Sequence, residues 1–460
     1  MTNRQIVARS ATALVSLCAV ALATAAVAQE KFPALLRGHA FIPALTLVPA
    51  PADAPASLGI SGKYTGQGGR EDQLGTIEGT SFLSAPEAAR TTGINLPFEG
   101  QPVQGFSGIK SLGDGEFVGT SDNGFGSKAN SPDAILLVHR IKPDWSTGEV
   151  ELLETIFLHD PDKVLPFHIV NEATDSRYLT GEDLDIESIQ PIGDRLWFGD
   201  EFGPHLIATD GQGKVVAFFD TEVDGDVVRS PDNHGVRMPS VPGDVDFEVR
   251  RSRGFEGMAA SPDGKLLYPL LEGPLWLAET GEWESQDGRE YLRILEFNVE
   301  QGAFTGRAWK YLLEENGNNI GDFNMVDAQT GLIIERDSGE GDPGLACPGD
   351  PQPGCFNTPA QFKRIYKIDF SQADADGFVK KVGYIDLMDI DDPKGEARLG
   401  GGGGKFTFPF VTIEDVDVVD EQHIIVANDN NLPFSSGRTI GENDANEFIL
   451  LEVPELLSAR

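Results

Sequence analysis

Five segments of the chain repeat one pattern of apolar and polar positions. Each segment opens with Phe or Ile, followed by a small or acidic pair and then an apolar run. A turn of polar residues comes next. A second run of alternating apolar residues follows, and it ends at acidic residues. Alternation of this kind on both sides of a polar turn is typical of a β-hairpin. The sequence therefore predicts five repeated hairpins, which begin at Phe106, Ile186, Phe255, Ile320 and Ile413.

The residues between the hairpins also alternate, and they add further strands to each repeat. Units of four strands predict the blades of a β-propeller, so the expected fold class is all-β, with five or six four-stranded blades. After the last hairpin the chain contains one more strand, EFILLEVPEL. We expect the N-terminal region around Ala44 to Val48 to supply the missing strand, because a closed ring has no open sheet edge.

The first 28 residues have the features of a cleavable export signal. The segment has a basic start, an apolar core over residues 11–23, and the small-x-small pattern Ala26-Val27-Ala28. We therefore expect cleavage after Ala28, a periplasmic or secreted location, and a single propeller domain over residues 29–460. No other segment approaches 18 consecutive apolar residues, so we expect no insertion into a membrane.

Two cysteines remain after residue 28, and they lie close together in the segment CPGDPQPGC. In an oxidising compartment a disulfide is the expected state of such a pair. The sequence therefore predicts a bond between Cys347 and Cys355, which would hold a loop rich in Pro and Gly.

The chain carries a formal net charge of −37 at pH 7. A charge of this sign and size disfavours nucleic acid and anionic membranes as partners. Excess carboxylates on the surface also keep an exported protein in solution, which accounts for much of the charge. We expect a monomer that acts on a small molecule.

Acidic residues recur at the same two places of the hairpins, and a propeller would bring these places to one end of its central channel. Carboxylates at close range repel one another, and a hard divalent cation relieves that repulsion. Because Ca²⁺ prefers oxygen ligands, we predict a Ca²⁺ site formed by Glu187, Glu256, Asp322 and Glu414. The alternative is a structural role, in which these acids accept backbone N–H bonds at the corners of the blades.

Three residues are candidates for chemistry beside such an ion. Glu201 ends a hairpin and His205 follows it closely, so either side chain would orient or deprotonate a water. Arg336 stands between two acidic residues and would hold an oxyanion. A local hydrogen bond for His205 and an ion pair for Arg336 are the structural alternatives.

The repeats also resemble the phytase-like β-propeller family, which is described by the esterase-like activity of phytase. The resemblance covers about Gly105 to Val453 and is carried by FSGIKSL, DIESIQ, DEFGPHLIATDGQGKVV, GFEGMAASPDGKLLYPLLEGPL, ERDSGEG and IEDVDVVDEQHIIVANDNN. It implies a β-propeller and the hydrolysis of esters or phosphoesters. The analogy to phytases implies six blades, whereas the repeats indicate five.

Together these features predict an exported, metal-dependent hydrolase of small-molecule esters or phosphoesters. In the expected mechanism Ca²⁺ activates a water, and no covalent nucleophile takes part. A Ca²⁺-dependent lactonase is one alternative, because other calcium propellers open lactones. A non-catalytic propeller that binds a ligand or a protein partner is another.

Overall fold

A computed structural model of the protein describes residues 29–241 and 245–460, and β-strands dominate it. Within these ranges the only α-helix is Pro454–Ser458. No helix in the described part of the chain has the length and apolar character needed to cross a bilayer. The predicted export signal, residues 1–28, lies outside the described residues.

Five groups of four antiparallel strands, called here sheets 1 to 5, form the body of the molecule, and one parallel pair, Glu149 with Phe41, joins sheet 1 to sheet 5. The first strand of each sheet is called its inner strand. Sheet 1 contains Phe106–Gly113, Glu116–Ser121, Leu137–Asp144 and Glu149–Phe157. Sheet 2 contains Ile186–Ile192, Arg195–Asp200, His205–Asp210 and Val215–Asp220. Sheet 3 contains Phe255–Ala260, Leu266–Leu271, Arg289–Asn298 and Ala303–Leu312.

The last two sheets follow in chain order. Sheet 4 contains Asn319–Met325, Thr330–Arg336, Lys363–Asp369 and Lys380–Asp386. Sheet 5 contains Ile413–Val418, His423–Asn428, Asn446–Glu452 and Leu35–Ile42. Shorter strands lie in the connections: Glu30–Lys31, Leu47–Val48, Ile60–Ser61, Ile77–Thr80, Thr91–Leu96, Phe98–Glu99, Gln101–Pro102, Glu222–Val223, Asp226–Val227, Trp276–Leu277, Glu282–Trp283, Ser285–Gln286, Ile390–Asp391 and Lys405–Phe406.

The five inner strands contact one another in a closed cycle, from sheet 1 through sheet 5 and back to sheet 1. Each pair of neighbouring sheets also shares an apolar core, as between Trp197 of sheet 2 and Leu267 of sheet 3. Sheets packed face to face around a common axis are the blades of a β-propeller. The structure thus confirms the prediction of an all-β propeller.

The ring closes through sheet 5, which takes strands from both ends of the described chain. Leu35–Ile42 pairs antiparallel with Asn446–Glu452. The N-terminal region thus supplies the closing strand, as predicted, but the strand precedes the predicted segment Ala44 to Val48, in which Leu47–Val48 pairs instead with Gln101–Pro102. In Leu35–Ile42 residues 35, 37 and 41 are partly exposed and the other five are buried, which suits an outer strand that covers a core.

A register shift directly after the Phe or Ile that opens each hairpin is the local feature that matters most for the site. Such a β-bulge leaves one residue without a partner on the neighbouring strand and changes the direction in which its side chain points. In sheets 2, 3 and 5 the unpaired residues are Glu187, Glu256 and Glu414. The repeated shift turns the same position of several blades toward the same end of the channel.

Below the bulges the channel is closed by close packing and by polar side chains. A Cβ on Gly257 would lie 2.7 Å from the backbone nitrogen of Phe323, so the inner strands of sheets 3 and 4 touch there. Deeper still, the Asn324 amide oxygen accepts hydrogen bonds from Gln190 at 2.8 Å and from Lys110 at 2.9 Å. Access to the bulged carboxylates is therefore from one mouth of the channel.

The predicted disulfide between Cys347 and Cys355 is confirmed. It lies in the connection between the second and third strands of sheet 4. The backbone oxygen of Cys355 accepts a hydrogen bond of 3.3 Å from Arg90, whose guanidinium lies over the ring of Phe356. The bonded loop is thus attached to the N-terminal part of the chain.

Candidate metal centre

Three inner strands place a glutamate at the same mouth of the channel. One carboxylate oxygen from each of Glu187, Glu256 and Glu414 lies within 4.8 Å of the other two. All three side chains are buried. They come from sheets 2, 3 and 5 and occupy the bulged position in each, so the propeller ring itself brings them together.

Residues next to these strands extend the cluster. Glu201 and Glu272 come directly after the second strands of sheets 2 and 3, and Asp185 comes directly before the inner strand of sheet 2. Asp185, Glu187 and Glu201 form one close group of oxygens, and Glu201, Glu256 and Glu272 form another. Because the groups share members, the acids form one connected set, which we call the carboxylate cluster.

The local backbone explains why Asp185 faces inward. Its carboxylate accepts hydrogen bonds from Asn123, at 3.0 Å from the backbone nitrogen and 2.6 Å from the side-chain amide. Its own backbone nitrogen donates to Asp200 at 2.8 Å, and its carbonyl oxygen accepts from the backbone of Glu201 at 2.8 Å. Asp200 thus fixes the corner of the blade, while Asp185 and Glu201 point into the channel mouth.

The cluster lines a cavity of about 360 Å³. Its charged walls consist of seven carboxyl groups and two guanidinium groups, from Asp122, Asp185, Glu187, Glu201, Glu256, Glu272 and Glu414 and from Arg253 and Arg336. Phe82 and Val411 are the large apolar residues of the wall. The site is therefore strongly acidic, with cations too few to balance the acids.

Each of the two arginines forms an ion pair with a particular carboxylate. Arg336 contacts Glu414 at 2.5 Å and lies 3.9 Å from Glu256. Arg253 contacts Glu272 at 2.6 Å. The Nε atom of Arg336 is buried and has no hydrogen-bond partner within the described part of the protein. Arg336 therefore forms the ion pair considered for it, and its Nε donor has no partner in the described part of the protein.

Burial and mutual repulsion make the acids of the cluster hard to ionise. Burial raises the pKa of Glu187 well above its usual range, and the charges of Asp185 and Glu256 add to the effect. The pKa values of Glu201 and Glu256 are raised in the same way, by burial first and by neighbouring acids second. Burial also raises the pKa of Glu414, against the opposing effect of Arg336.

The chemistry of this donor set fits Ca²⁺. All of the close ligand atoms are oxygens, several carboxylates converge, and the repulsion among them would be relieved by two positive charges. No imidazole or thiol is among the close groups formed by the carboxylate cluster in residues 29–241 and 245–460. A hard cation suits such a site better than a softer transition metal.

Asp322 does not join the cluster, contrary to the sequence-based prediction. Counted from Ile320, which opens the hairpin of sheet 4, Gly321 is the second residue and Asp322 is the third, whereas Glu187, Glu256 and Glu414 are second in theirs. Its carboxylate accepts hydrogen bonds from the backbone of Phe323 at 2.7 Å and of Val416 at 3.3 Å, and from the amide of Asn324 at 2.9 Å. Asp322 therefore links the inner strands of sheets 4 and 5 inside the channel, which is the structural alternative.

His205 also lies apart from the carboxylate cluster. It begins the third strand of sheet 2 and lines a different cavity, where its closest charged neighbours are Asp220 and His234. Burial lowers the pKa of His205 well below its usual range. Of the residues predicted to take part in chemistry, the structure brings Glu201 and Arg336 to the cluster and leaves His205 outside it.

Asp185, Glu272 and Arg253 belong to the site but were not among the predicted ligands and catalytic residues. The signal for Asp185 is the alternation of acids in the segment DLDIE, which places Asp185 and Glu187 two residues apart at the start of a strand. Glu272 ends the hairpin of sheet 3 in the same way that Glu201 ends that of sheet 2. Arg253 has no comparable signal, because it precedes its strand in an irregular segment.

Solved structures similar to this chain have low sequence identity to it. A luciferin-regenerating enzyme matches with 10% identity and a TM-score of 0.30, over 78% of this chain and 94% of its own. A putative 6-phosphogluconolactonase from Bacteroides fragilis matches with 12% identity and a TM-score of 0.28, over 80% of this chain and 92% of its own. No curated protein matches the sequence.

The family described as "Phytase-like: Esterase-like activity of phytase" matches residues 101–432. This range includes the inner strands of all five sheets and every member of the carboxylate cluster. The match confirms the resemblance noted in the sequence. The chain belongs to the phytase-like family.

Proposed function

We propose that the protein is a metal-dependent hydrolase of small-molecule esters or phosphoesters, with Ca²⁺ bound by the carboxylate cluster. One observation carries the proposal: the same bulged position of three blades places Glu187, Glu256 and Glu414 within 4.8 Å of one another. Buried like charges at this distance are costly unless a cation or protons balance them. The description of the family, esterase-like activity of phytase, supports hydrolysis as the reaction.

When bound, Ca²⁺ supplies Lewis acidity toward a carbonyl or phosphoryl oxygen and makes a water more acidic. Glu187, Glu256 and Glu414 would hold the ion, and Asp185 and Glu272 stand near enough to complete or orient the ligand set. Asp322 is not part of this proposal, because its oxygens are used by the neighbouring backbone.

The protein's own residues have two further roles in the proposed reaction. Glu201 accepts a proton from the attacking water, a task suited to a carboxylate whose pKa is raised. Arg336, which lines the cavity, donates from its guanidinium group to the oxyanion that develops on the substrate. His205 has no role in this reaction, since it lines a different cavity.

The size and charge of the cavity restrict the substrate. A volume of about 360 Å³ suits a small molecule and lies at the lower end of the usual range for ligand pockets. Because carboxylates outnumber guanidinium groups in the wall, a highly phosphorylated substrate would be repelled unless several cations came with it. Esters with at most one or two negative charges fit the site best.

The test combines metal removal with one matched pair of variants. Metal-stripped protein should hydrolyse none of a panel of aryl esters, aryl phosphates and lactones, and added Ca²⁺ should restore activity toward at least one class. Glu187→Gln should lower the Ca²⁺-dependent rate at least tenfold, which corresponds to about 1.4 kcal/mol of transition-state stabilisation. Glu151→Gln, which makes the same change at an exposed position of an outer strand, should leave the rate unchanged.

Two results would overturn the proposal. If no class of substrate is hydrolysed with Ca²⁺ present, the protein is better described as a propeller that binds a ligand or a partner. If hydrolysis occurs but Glu187→Gln has the wild-type rate, the reaction takes place elsewhere. Turnover of lactones alone would select the lactonase alternative.

We also propose that the protein is exported with removal of residues 1–28. The motivation is the signal-like composition of that segment together with the disulfide, which is stable in an oxidising compartment. N-terminal sequencing of protein recovered from the periplasm or the medium should begin at Gln29. An intact N-terminus on protein found only in the cytoplasm would refute export.

A further inference from the structure

A second cavity, of about 610 Å³, lies beside sheet 2 and is separate from the carboxylate cluster. His205 and His234 are in its wall, and Asp220 stands next to both rings. None of these three residues has a role in the proposed hydrolysis. They differ from the carboxylate cluster in kind, because two of the three possible ligands are imidazoles.

Sheet pairing and one connection bring the three side chains together. His205 is the first residue of the third strand of sheet 2, and Asp220, the last residue of the fourth strand, pairs directly opposite it. His234 comes from the long connection between sheets 2 and 3. The Oδ1 atom of Asp220 lies 3.4 Å from Nδ1 of His205 and 3.5 Å from Nε2 of His234. One ligand atom from each residue lies within 4.8 Å of the other two.

These distances do not describe hydrogen bonds. Nitrogen–oxygen hydrogen bonds are usually about 2.7–3.2 Å long, and both contacts exceed this range. Nδ1 of His205 and Nε2 of His234 are buried and without a hydrogen-bond partner in the described protein, and only 2% of His205 is exposed. Buried polar atoms are costly when they lack a partner, so a group between them is expected.

The distances do match the edges of a metal-coordination polyhedron. In a tetrahedral zinc site with bonds of about 2.0–2.1 Å, neighbouring ligand atoms are about 3.3 Å apart. We propose that His205, His234 and Asp220 form a second metal site, which binds a divalent transition ion of the Zn²⁺ type. Two imidazoles and one carboxylate are ligands that Zn²⁺ accepts and that Ca²⁺, which prefers oxygen, does not select.

Neighbouring aromatic rings hold the two imidazoles in place. The ring of His234 stacks on Phe167, with ring centres 5.2 Å apart and an angle of 28° between the planes. The ring of His205 packs against Phe218 at 4.5 Å. Fixed rings reduce the loss of side-chain freedom when a metal binds. The side chain of Asp220 is 43% exposed, which gives an ion a way in from solvent.

The site would be of the open kind. Three protein ligands leave one position of a tetrahedron unfilled, as in catalytic rather than structural zinc sites. Lys128, which also lines the cavity, lies with its Nζ atom 4.8 Å from the centre of the Phe202 ring. The cavity therefore has both room and a positive charge for an anionic ligand beside the ion. This inference stands independently of the proposed hydrolysis.

The experiment is a titration of metal-stripped protein with Zn²⁺ by isothermal calorimetry, with Ca²⁺ in large excess so that oxygen-only sites are filled. We expect one Zn²⁺ per chain. His234→Ala and Asp220→Asn should each weaken binding at least tenfold. His168→Ala is the matched control, because this histidine lines the same cavity, is 95% exposed and lies outside the cluster of three.

Substitution with Co²⁺ provides an independent readout of the ligands. Intense visible absorption bands of a low-coordinate Co²⁺ ion should appear with wild type and His168→Ala, and should change or disappear with His234→Ala. Glu256→Gln should bind Zn²⁺ as wild type does, which separates this site from the carboxylate cluster. The proposal is overturned if Zn²⁺ does not saturate a single site, or if His234→Ala and Asp220→Asn both bind like His168→Ala.

Discussion

Replacing Glu256 with Gln tests whether the carboxylate cluster is a set of buried, interacting acids. Glu256 belongs to two of the close groups of oxygens, one with Glu187 and Glu414 and one with Glu201 and Glu272. Gln keeps the size of the side chain but carries no charge. In metal-free protein the change removes repulsion, so the variant should be more stable than wild type at neutral pH. At the proposed Ca²⁺ site the variant would also lose one ligand, so the stabilisation gained from added Ca²⁺ should be smaller.

The magnitude follows from the distances and from the direction of the pKa shift. Two unit charges 4.8 Å apart in a medium of effective dielectric constant 20 repel by about 3.5 kcal/mol. Proton uptake limits this cost, because burial and the neighbouring acids raise the pKa of Glu256 well above its usual range. The folded chain then holds a proton that the unfolded chain has lost.

The sign of the pH dependence is fixed by that proton. Below the ordinary pKa of about 4.5, Glu256 is protonated in both the folded and the unfolded state, so its titration does not change the free energy of unfolding. As the pH rises from there to the raised pKa of the folded state, the free energy of unfolding falls by about 1.4 kcal/mol per pH unit for each such group. Glu256→Gln should reduce the slope by about this amount.

The assay is urea unfolding of metal-stripped protein at several pH values between 5 and 8, repeated with saturating Ca²⁺. Glu151→Gln is the control, because it changes the net charge equally at an exposed position. The difference between the two variants isolates the buried group from the general repulsion of an acidic chain. Equal slopes for Glu256→Gln and Glu151→Gln would refute the claim that Glu256 titrates within a buried cluster.

Three further predictions concern other parts of the structure. Arg336→Met should lower the free energy of unfolding by about 3–5 kcal/mol in metal-free protein, because it leaves Glu414 buried without its partner, and Ca²⁺ should restore part of the loss in thermal denaturation. Asp322→Ala should lower the free energy of unfolding, measured with urea, by about 1–3 kcal/mol, because backbone donors lose their acceptor. The variant should keep the Ca²⁺-induced shift in Tm. Loss of that shift would indicate that Asp322 belongs to the proposed metal site. Replacing Cys347 and Cys355 by Ser should cost about 2–3 kcal/mol and speed proteolysis between them, whereas an unchanged digestion pattern would argue against a role in holding the loop.

The hairpins were predictable because each one is a local pattern. The segment that begins at Phe255 alternates, turns at Asp263-Gly264 and alternates again, and the structure places strands Phe255–Ala260 and Leu266–Leu271 there. Charge recurring at the start and end of such hairpins also predicted that acids would meet at one end of a channel. Glu187, Glu256 and Glu414 lie together for that reason.

The position of Asp322 was not predictable, because it depends on one residue of register. Counted from the Phe or Ile that opens each hairpin, the bulge in sheets 2, 3 and 5 exposes the second residue to the channel mouth, and in sheet 4 that residue is Gly321. A one-residue difference along a strand reverses the direction of a side chain. An acid in the third position looks similar in the sequence and faces a different environment.

The bounds of the closing strand were not predicted, because the residues at its centre do not form an apolar pattern in the sequence. LLRGHAFI contains Arg37, Gly38 and His39 at its centre, which does not look like a strand that covers a core. In the structure His39 is fully buried and lies 3.0 Å from the carboxylate of Glu447, so a tertiary contact makes its burial possible. Gly38 leaves room for the ring of Trp145, since a Cβ there would lie 2.7 Å from it.

The closure of sheet 5 also has a consequence for folding kinetics. Leu35 pairs with Glu452, and the inner strand of the same sheet carries Glu414. Contacts between such distant parts of a chain have a high loop-closure entropy and form slowly. We therefore expect the carboxylate cluster to reach its full geometry late in folding, after the two ends have met. Any ion that bridges Glu414 to Glu187 would then bind the closed ring in preference to open intermediates, and would slow unfolding that starts at this seam.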